Sequence, residues 1–151
     1  MTGMSDARYA AIRPYCELVL QGLGGLVDAA DYFDAFAEDA EFEVRYDFAG
    51  WPRIVRGRDA LVEQFSRYAD NVTLHAADNL LAHVADGGQL VTLEYEVHGT
   101  IRATGARYDN RFCSIVALAG RKIARWRDYM DSLSAWKALT APAGAAGGGQ
   151  A

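Results

Sequence analysis

The sequence predicts a single α+β domain, built from a curved antiparallel sheet that wraps around N-terminal helices. Two patterns lead to this prediction. Before residue 40, apolar residues recur at three- and four-residue spacing, which is the period of a helix. From residue 71 onward, long strand-like segments follow one another with glycine-containing turns between them. A sheet of this kind closes over the helices and leaves a cone-shaped cavity between the two layers.

The first third of the chain predicts two helices and one strand. Residues 5–23 are expected to form a helix that Ser5 caps, with a kink or a later start at Pro14. A second helix is expected from about Leu26 to Asp39. Charged and apolar residues then alternate over 41–48, which predicts a half-buried strand.

A further helix, four long strands and a closing helical turn are expected after residue 50. Asp86-Gly87-Gly88 is a strong hairpin signal. The glycine-rich residues 141–151 are expected to form a disordered tail, which assigns the domain to residues 5–140. The expected elements are a short strand and turn over 54–59, a helix from about Asp59 to Tyr68, a strand or a bent pair of strands over 72–85, strands over 90–101, 107–118 and 122–130, and a helical turn over 132–139.

The composition indicates a soluble, cytoplasmic protein without nucleic-acid or membrane partners. The chain has 15 Lys or Arg and 20 Asp or Glu, so its formal charge of −5 does not provide the basic face that nucleic acids require. No apolar run approaches the ~20 residues that span a bilayer, and Met1 to Arg8 lack the apolar core of a secretory signal. Hydrophobic residues make up 51% of the chain, which is enough for a folded core.

The sequence contains none of the common cofactor or nucleophile motifs, so we expect no cofactor and no metal. The GxGxxG, P-loop, GxSxG and HExxH patterns are all absent. His75, His83 and His98 lie farther apart than paired metal ligands on one strand or helix. The two cysteines, Cys16 and Cys113, form no CxxC or metal spacing.

The segment over 122–131 carries the strongest indication of chemistry. On a strand, Asp128 shares a face with Ala124, Trp126 and Met130. A carboxylate on an apolar face is costly unless it has a partner or a task, and desolvation raises its pKa toward the range of a general acid or base. The alternative is that Asp128 faces outward and pairs with an arginine of a neighbouring strand.

Alternation along the other strands predicts the walls of the cavity. Mostly apolar and aromatic faces with a few polar groups are the usual composition of a small-molecule site. The candidate catalytic residues are Asp128, Tyr46, Tyr95 and Asn110. The candidate substrate-binding residues are Phe42, Val44, Trp51, Val97, Tyr108, Phe112, Trp126 and Met130.

A series of short motifs resembles one protein family over roughly residues 8–140. The SnoaL-like branch of the nuclear transport factor 2-like superfamily, which includes ketosteroid isomerase, has such motifs in this order and spacing. The resemblance implies a cystatin-like α+β barrel. The motifs are Phe36-Ala37-Glu38-Asp39-Ala40, Val55-Arg56-Gly57-Arg58-Asp59-Ala60-Leu61, Tyr108-x-Asn110-x-Phe112, and Lys122-Ile123 through Trp126-Arg127-Asp128-Tyr129-Met130-Asp131.

Two groups within that superfamily have an acid/base residue that matches Asp128. The C-terminal half is similar to limonene-epoxide hydrolases, whose aspartate in a Trp-Arg-Asp-Tyr segment is a general base. The other site residues of those enzymes would fall at Phe42, Val44, Tyr95 and Val97, which do not match, unless a one-residue bulge turned Glu94 or Glu96 inward.

Phenazine-biosynthesis A/B proteins are the second group. They share the His98-Gly99 and Asn110-x-Phe112 steps, and their acid/base glutamate falls at Asp128. Of the histidines here, His75 is the candidate for the one that completes their site. Both comparisons therefore imply a catalytic acid at the same position.

The resulting hypothesis is a cofactor-independent enzyme that acts on a hydrophobic cyclic or aromatic small molecule. Asp128 would transfer a proton, and Tyr46, Tyr95 or Asn110 would hydrogen-bond a developing oxyanion. Isomerisation, cyclisation and lyase-type elimination all remain open. The alternatives are an epoxide hydrolase of the limonene-epoxide type and a non-catalytic small-molecule-binding domain.

We also expect a homodimer formed through the convex face of the sheet. Alternation places charged side chains on that face, opposite the cavity. These side chains are available to exchange ion pairs between two copies. They are Glu94, Glu96, His98, Arg111 and Arg127.

Overall fold

The computed structural model describes residues 7–48 and 50–143 of the chain. A 3-10 helix over Ala7–Ile12 leads into α1 (Arg13–Gly22), and the later helices are α2 (Arg58–Asn71) and α3 (Ser132–Leu139). The strands are β1 (Phe36–Val44), β2 (Ile54–Arg56), β3 (Val72–Ala85), β4 (Leu90–Ile101), β5 (Arg107–Ala119) and β6 (Lys122–Met130). They form one six-stranded sheet in the order β2-β1-β6-β5-β4-β3.

The predicted α+β class is confirmed, and the second half of the chain folds as expected. The strands β3 to β6 are consecutive antiparallel hairpins, and their bounds agree with the predicted ones to within one residue. The hairpin turn at Asp86–Gly88 and the helix α3 are also confirmed. The sheet differs from the expected antiparallel one in a single pairing: β1 and β6 run parallel to each other.

The N-terminal helix begins later than its apolar pattern alone suggests. Pro14 lies in the first turn of α1, where its missing N–H costs no helical hydrogen bond, so the expected late start is confirmed. The predicted cap Ser5 and residues 144–151 of the predicted tail lie outside the described residues. Within the described ranges, no helix has the length and apolar character needed to cross a membrane.

The predicted helix over Leu26–Asp39 is wrong. Turns occupy residues 32–35, and β1 begins at Phe36. The reason is tertiary hydrogen bonding to β6, since the Ile123 amide donates to the Ala35 carbonyl at 2.7 Å. The Lys122 ammonium donates to the carbonyls of Asp28 and Asp34 at 2.6 and 2.7 Å. Backbone oxygens that a helix would pair internally are therefore satisfied from the neighbouring strand.

Two strands also depart from simple alternation. The strand β1 ends at Val44, so Tyr46 and Phe48 belong to the loop that follows it rather than to the predicted strand over 41–48. In β6, Ala117 pairs with Arg125 and Leu118 pairs with Ile123, which leaves Ala124 as a bulge. Ile123 is consequently fully buried, whereas alternation placed Ala124 on the inner face.

Gly99 in β4 lies directly against the backbone of the edge strand β3. The pairing of the two strands shifts register between Leu74 and Ala76, and this irregularity presses β3 onto Gly99. A Cβ atom at residue 99 would lie 2.0 Å from the Thr73 carbonyl oxygen and 2.9 Å from the Leu74 Cα. Only glycine fits this contact without movement of the backbone.

We expect Gly99→Ala to lower the free energy of unfolding by about 1–3 kcal/mol, because the obstructing atoms are backbone atoms that cannot rotate away. Urea denaturation followed by circular dichroism measures the change. Thr100→Ala is the control, because Thr100 is the next residue of the same strand and has a half-buried side chain. This variant should lower the free energy of unfolding by less. Equal denaturation midpoints for the two variants would contradict this account.

Candidate active site

A cavity of about 370 Å³ lies between the helices and the concave face of the sheet. This volume falls within the ~300–1,000 Å³ range of small-molecule sites. Nine of its nineteen lining residues are aromatic, and all three α-helices and five of the six strands border it. The lining comprises Tyr15, Phe42, Tyr46, Phe48, Gly50, Trp51, Gln64, Phe65, Arg67, Tyr68, Asn71, Val72, Ile101, Tyr108, Phe112, Asp128, Met130, Ala135 and Leu139.

Asp128 is the carboxyl group in this wall, and it is 5% exposed. Its Oδ1 accepts hydrogen bonds from the Ser114 hydroxyl at 2.7 Å and from the Trp126 indole N–H at 2.9 Å. Burial raises the pKa of Asp128 to about 6, although the hydrogen bonds from Trp126, Ser114 and Tyr46 act in the opposite direction. The alternative in which Asp128 faces outward beside an arginine is therefore wrong.

Strand geometry explains why these groups meet. Ser114 is the register partner of Asp128 across the β5–β6 pair, so their side chains lie on the same face. Trp126 is two residues earlier on β6 and points the same way, which brings its indole N–H to the same oxygen. Both bonds reach Oδ1, so Oδ2 carries neither of them.

Tyr95 lies behind Asp128 rather than beside the cavity. Its hydroxyl is 2.9 Å from the Ser114 hydroxyl, and its ring stacks on Phe112 at a centroid distance of 5.4 Å. Because Ser114 donates its proton to Asp128, the Tyr95 hydroxyl donates to Ser114. Tyr95 thus supports the carboxyl through one intermediate hydroxyl.

Asn110 also supports the wall from behind. Its amide nitrogen donates to the Tyr108 hydroxyl oxygen at 2.9 Å and contacts the Met130 sulfur at 3.4 Å. Its carbonyl oxygen accepts from the Arg111 amide at 2.8 Å. Asn110 is therefore fully engaged within the protein, and its contact with Tyr108 leaves the Tyr108 hydrogen free to be donated.

The structure brings seven of the twelve predicted site residues into the wall of one cavity. The residues in the wall are Phe42, Tyr46, Trp51, Tyr108, Phe112, Asp128 and Met130. The others are buried behind it; they are Val44, Tyr95, Val97, Asn110 and Trp126. For these five, alternation gave the correct side of the sheet but could not distinguish the wall from the core beneath it.

The lining that comes from the helices was missed as a site. Phe65 and Tyr68 on α2 and Leu139 on α3 line the cavity. In α3, Leu133 and Trp136 are 58% and 53% exposed. Helical spacing identifies an apolar face, but it does not say whether that face meets side chains or a cavity.

The outer face of the sheet holds a separate group of charged residues. His98 Nδ1 lies 2.7 Å from Asp109 and its Nε2 lies 2.9 Å from Asp78, and these hydrogen bonds raise the pKa of His98. Glu96 accepts from Asn79 at 2.8 Å. In the described chain, the ligand atoms of Asp78, Glu96 and His98 come within 4.8 Å of one another, a spacing compatible with a metal ion. Both imidazole nitrogens are already bound to carboxylates.

Neither glutamate of β4 turns inward. Glu94 is exposed and lies 2.9 Å from His83, whereas Tyr95 and Val97 are buried. The bulge that would have supplied an epoxide-hydrolase acid is therefore not formed. His75 is exposed on β3 and does not line the cavity, so it is not placed to complete a site with Asp128.

The class of this protein follows from these observations: it is an α+β domain whose curved sheet encloses one small-molecule cavity with a buried carboxyl group. Comparison with known proteins then gives the family. The SnoaL-like domain matches residues 25–126, so the chain belongs to the SnoaL-like family. The resemblance in sequence is confirmed.

Individual relatives are distant. Uncharacterized protein YesE of Bacillus subtilis (strain 168) is 24% identical over 106 residues, which is 70% of this chain and 72% of that protein. A Bacillus subtilis structure named provisionally as an isomerase superposes with a TM-score of 0.69 at 21% identity, covering 85% of this chain and 89% of the other. A phenazine biosynthesis-related protein from Pseudomonas aeruginosa superposes with a TM-score of 0.66 at 23% identity, and the match covers 94% of this chain and 90% of the other. Such likeness shows the fold, which is nuclear transport factor 2-like.

We expect Asp128→Asn to stabilise the protein at neutral pH. The folded-state pKa of about 6 exceeds the unfolded value of ~3.9, so the folded state loses stability as the pH rises through this window. The loss approaches about 3 kcal/mol above pH 7. Asparagine removes the charge but keeps an oxygen for Ser114 and Trp126.

Urea denaturation at pH 7.5 and pH 4 measures this difference. The free energy of unfolding of Asp128→Asn should exceed that of wild type by about 1–3 kcal/mol at pH 7.5 and by almost nothing at pH 4. Asp70→Asn changes an exposed carboxyl on α2 in the same way and serves as the control. A variant destabilised equally at both pH values would show that the charge of Asp128 is not costly.

Proposed function

We propose that this chain is a cofactor-independent acid/base enzyme that acts on a hydrophobic cyclic or aromatic small molecule, with Asp128 as the proton-transfer residue. The observation that carries the proposal is a carboxyl group with a pKa of about 6 in the wall of an aromatic cavity. A group with this pKa exchanges protons readily near neutral pH. The names of similar structures, which include isomerase and polyketide cyclase, support the same class of reaction.

The proposed first step is removal of a proton from a carbon next to a carbonyl group. The C–H bond breaks, the proton moves to Asp128, and the electron pair moves into the carbonyl to form an enolate. Oδ2 is the oxygen assigned to this transfer because Ser114 and Trp126 occupy Oδ1. Return of the proton to another carbon completes an isomerisation, whereas attack of the enolate or loss of a leaving group gives cyclisation or elimination.

Tyr108 is the donor proposed for the enolate oxygen, whereas Tyr46, which also lines the cavity, hydrogen-bonds the Asp128 carboxyl. The Tyr108 oxygen already accepts from Asn110, so its own hydrogen is available. Burial raises the pKa of Tyr108 to about 12, which keeps it protonated as a donor. Tyr108 takes the oxyanion role in place of Tyr95 and Asn110, since the latter do not reach the cavity.

The epoxide-hydrolase alternative has weaker support. Its required residues would fall at Phe42, Val44, Tyr95 and Val97, all of which are apolar or engaged elsewhere. A non-catalytic binding domain remains the alternative of a different class. It predicts binding without turnover, and the experiment below separates it from the enzyme.

Solvent deuterium exchange of 2-tetralone, followed by proton NMR, tests the acid/base role. The protein should accelerate loss of the α-hydrogen signals, and the rate should rise with pH through about 6 as Asp128 ionises. Asp128→Asn should lower the accelerated rate by roughly two to four decades, since a general base typically contributes that much. Asp70→Asn should leave it unchanged. Equal rates for wild type and Asp128→Asn would refute the assignment.

We also propose a homodimer formed through the outer face of β4, β5 and β6. Acidic residues lie on β4 (Glu94 and Glu96), basic residues lie on β6 (Arg125 and Arg127), and β5 runs between them. A two-fold axis along β5 sets β4 of one copy over β6 of the other, which brings an acidic strand and a basic strand face to face across the interface.

Sedimentation at micromolar concentration tests the dimer. Wild type should sediment at twice the 16.5 kDa chain mass. Ile115→Arg, in the middle of the outer face of β5, should yield the monomer because it places like charges together at the axis. Gln89→Arg, at the exposed hairpin, should remain dimeric. A monomeric wild type would exclude this assembly.

A further inference from the structure

Two side-chain nitrogens of the described residues are buried in the cavity wall without a hydrogen-bond partner. They are Nε1 of Trp51, in the loop before β2, and Nε2 of Gln64, on α2. Gln64 is only 7% exposed. A buried N–H without an acceptor is unfavourable, and native proteins almost always satisfy such groups. Two of them in one cavity therefore indicate positions that a bound molecule completes.

Both donors are held by the same part of the structure. The Trp51 ring meets Phe65 and Tyr68 edge-to-face, at centroid distances of 6.4 and 6.3 Å. Both of these rings belong to α2, which also carries Gln64. The helix thus carries one donor and packs against the ring that carries the other.

The chemistry of the two groups restricts what they can bind. An indole N–H and an amide NH₂ donate hydrogen bonds and accept none, so the complementary group is an acceptor. A carbonyl or carboxylate oxygen has lone pairs and is the kind of acceptor that such donors require. A hydrocarbon ring leaves both donors unsatisfied in an otherwise apolar pocket, which is the usual basis of strong discrimination.

We propose that Trp51 and Gln64 form an anchor for an oxygen acceptor, so that the molecule bound in this cavity is a ring compound with a carbonyl or carboxylate group. This assignment rests on the proposed function insofar as the bound molecule is called a substrate. It concerns binding alone and does not require turnover. The anchor holds one end of the ring against α2 and leaves the rest of the ring to the wall that contains Asp128. The substrate is thereby oriented before any proton moves.

Three probes with the same bicyclic body test the anchor: 2-tetralone, 1,2,3,4-tetrahydro-2-naphthoate and tetralin. Titrations with ¹⁵N-labelled protein should shift the indole resonance of Trp51 and the amide resonances of Gln64 with an oxygenated probe but not with tetralin. Trp51→Phe and Gln64→Met assign the resonances. Tighter binding of the ketone identifies a carbonyl as the acceptor, whereas tighter binding of the acid identifies a carboxylate.

Gln64→Met separates an anchor from a structural residue. The variant should bind the preferred oxygenated probe about 3- to 10-fold more weakly, as expected for one lost hydrogen bond, and should bind tetralin no more weakly. In the absence of any probe it should melt at the same temperature or higher, because it removes an unsatisfied donor. Gln21→Met, at an exposed site on α1, is the matched control and should change neither property.

The proposal fails if all three probes bind equally, or if the resonances of Trp51 and Gln64 stay fixed when an oxygenated probe binds. Asp128→Asn keeps the anchor, so it should bind the probes within about threefold of wild type. If no deuterium exchange is found but the oxygenated probes still shift the resonances of Trp51 and Gln64, the anchor is confirmed and the catalytic proposal is wrong.

Discussion

The cost of keeping a carboxyl group among aromatic side chains constrains the rest of this structure. Burial raises the pKa of Asp128, which means that the ionised form is poorly solvated. Hydrogen bonds from Ser114 and Trp126 offset part of that cost, and both donors are fixed by the pairing of β5 with β6. The register of one strand pair therefore determines whether the carboxyl can be buried at all.

Trp126 links that register to the packing of the core. Its ring stacks on Phe42 at 5.4 Å with an interplanar angle of 15°, and Phe42 lies opposite it in the parallel β1–β6 pair. The same side chain thus holds β1 against β6 and donates to Asp128. The parallel pair is possible because the chain crosses from β1 to β6 through α2 and the strands β2 to β5, so the pair joins an early segment of the chain to a late one.

Much of this fold follows from local patterns, and the exceptions have a common cause. The strands β3 to β6 and the helix α3 are predictable because period-two alternation and glycine turns are local signals. The segment before Phe36 is not predictable in this way. Its aromatic residues have helical spacing, yet Lys122 and Ile123, about ninety residues away, supply the hydrogen bonds that hold it as turns. A tertiary partner overrides local preference there.

The candidate site likewise contains one residue that local sequence patterns predict and one that they do not. Asp128 is predictable from its own strand, because a carboxylate between Trp126 and Met130 stands out against an apolar face. The role of Gln64 is not predictable in this way, since a polar residue on a helix is ordinarily exposed and nothing in the neighbouring sequence indicates that it is buried. Its burial depends on how α2 docks on the sheet, which is a property of the assembled domain.

The two halves of the cavity wall therefore differ in what they contribute. The sheet supplies a carboxyl whose hydrogen bonds are made within the protein, so its position is set before any ligand arrives. The helix side supplies N–H groups whose bonds are left open. Preorganised charge suits a proton transfer, because it needs no rearrangement during the reaction, and open donors suit recognition, because they distinguish ligands by what they satisfy. In the proposed function, chemistry and specificity are therefore carried by different elements, and substitutions on α2 can change the molecule that is bound while Asp128 and its partners on β5 and β6 stay as they are.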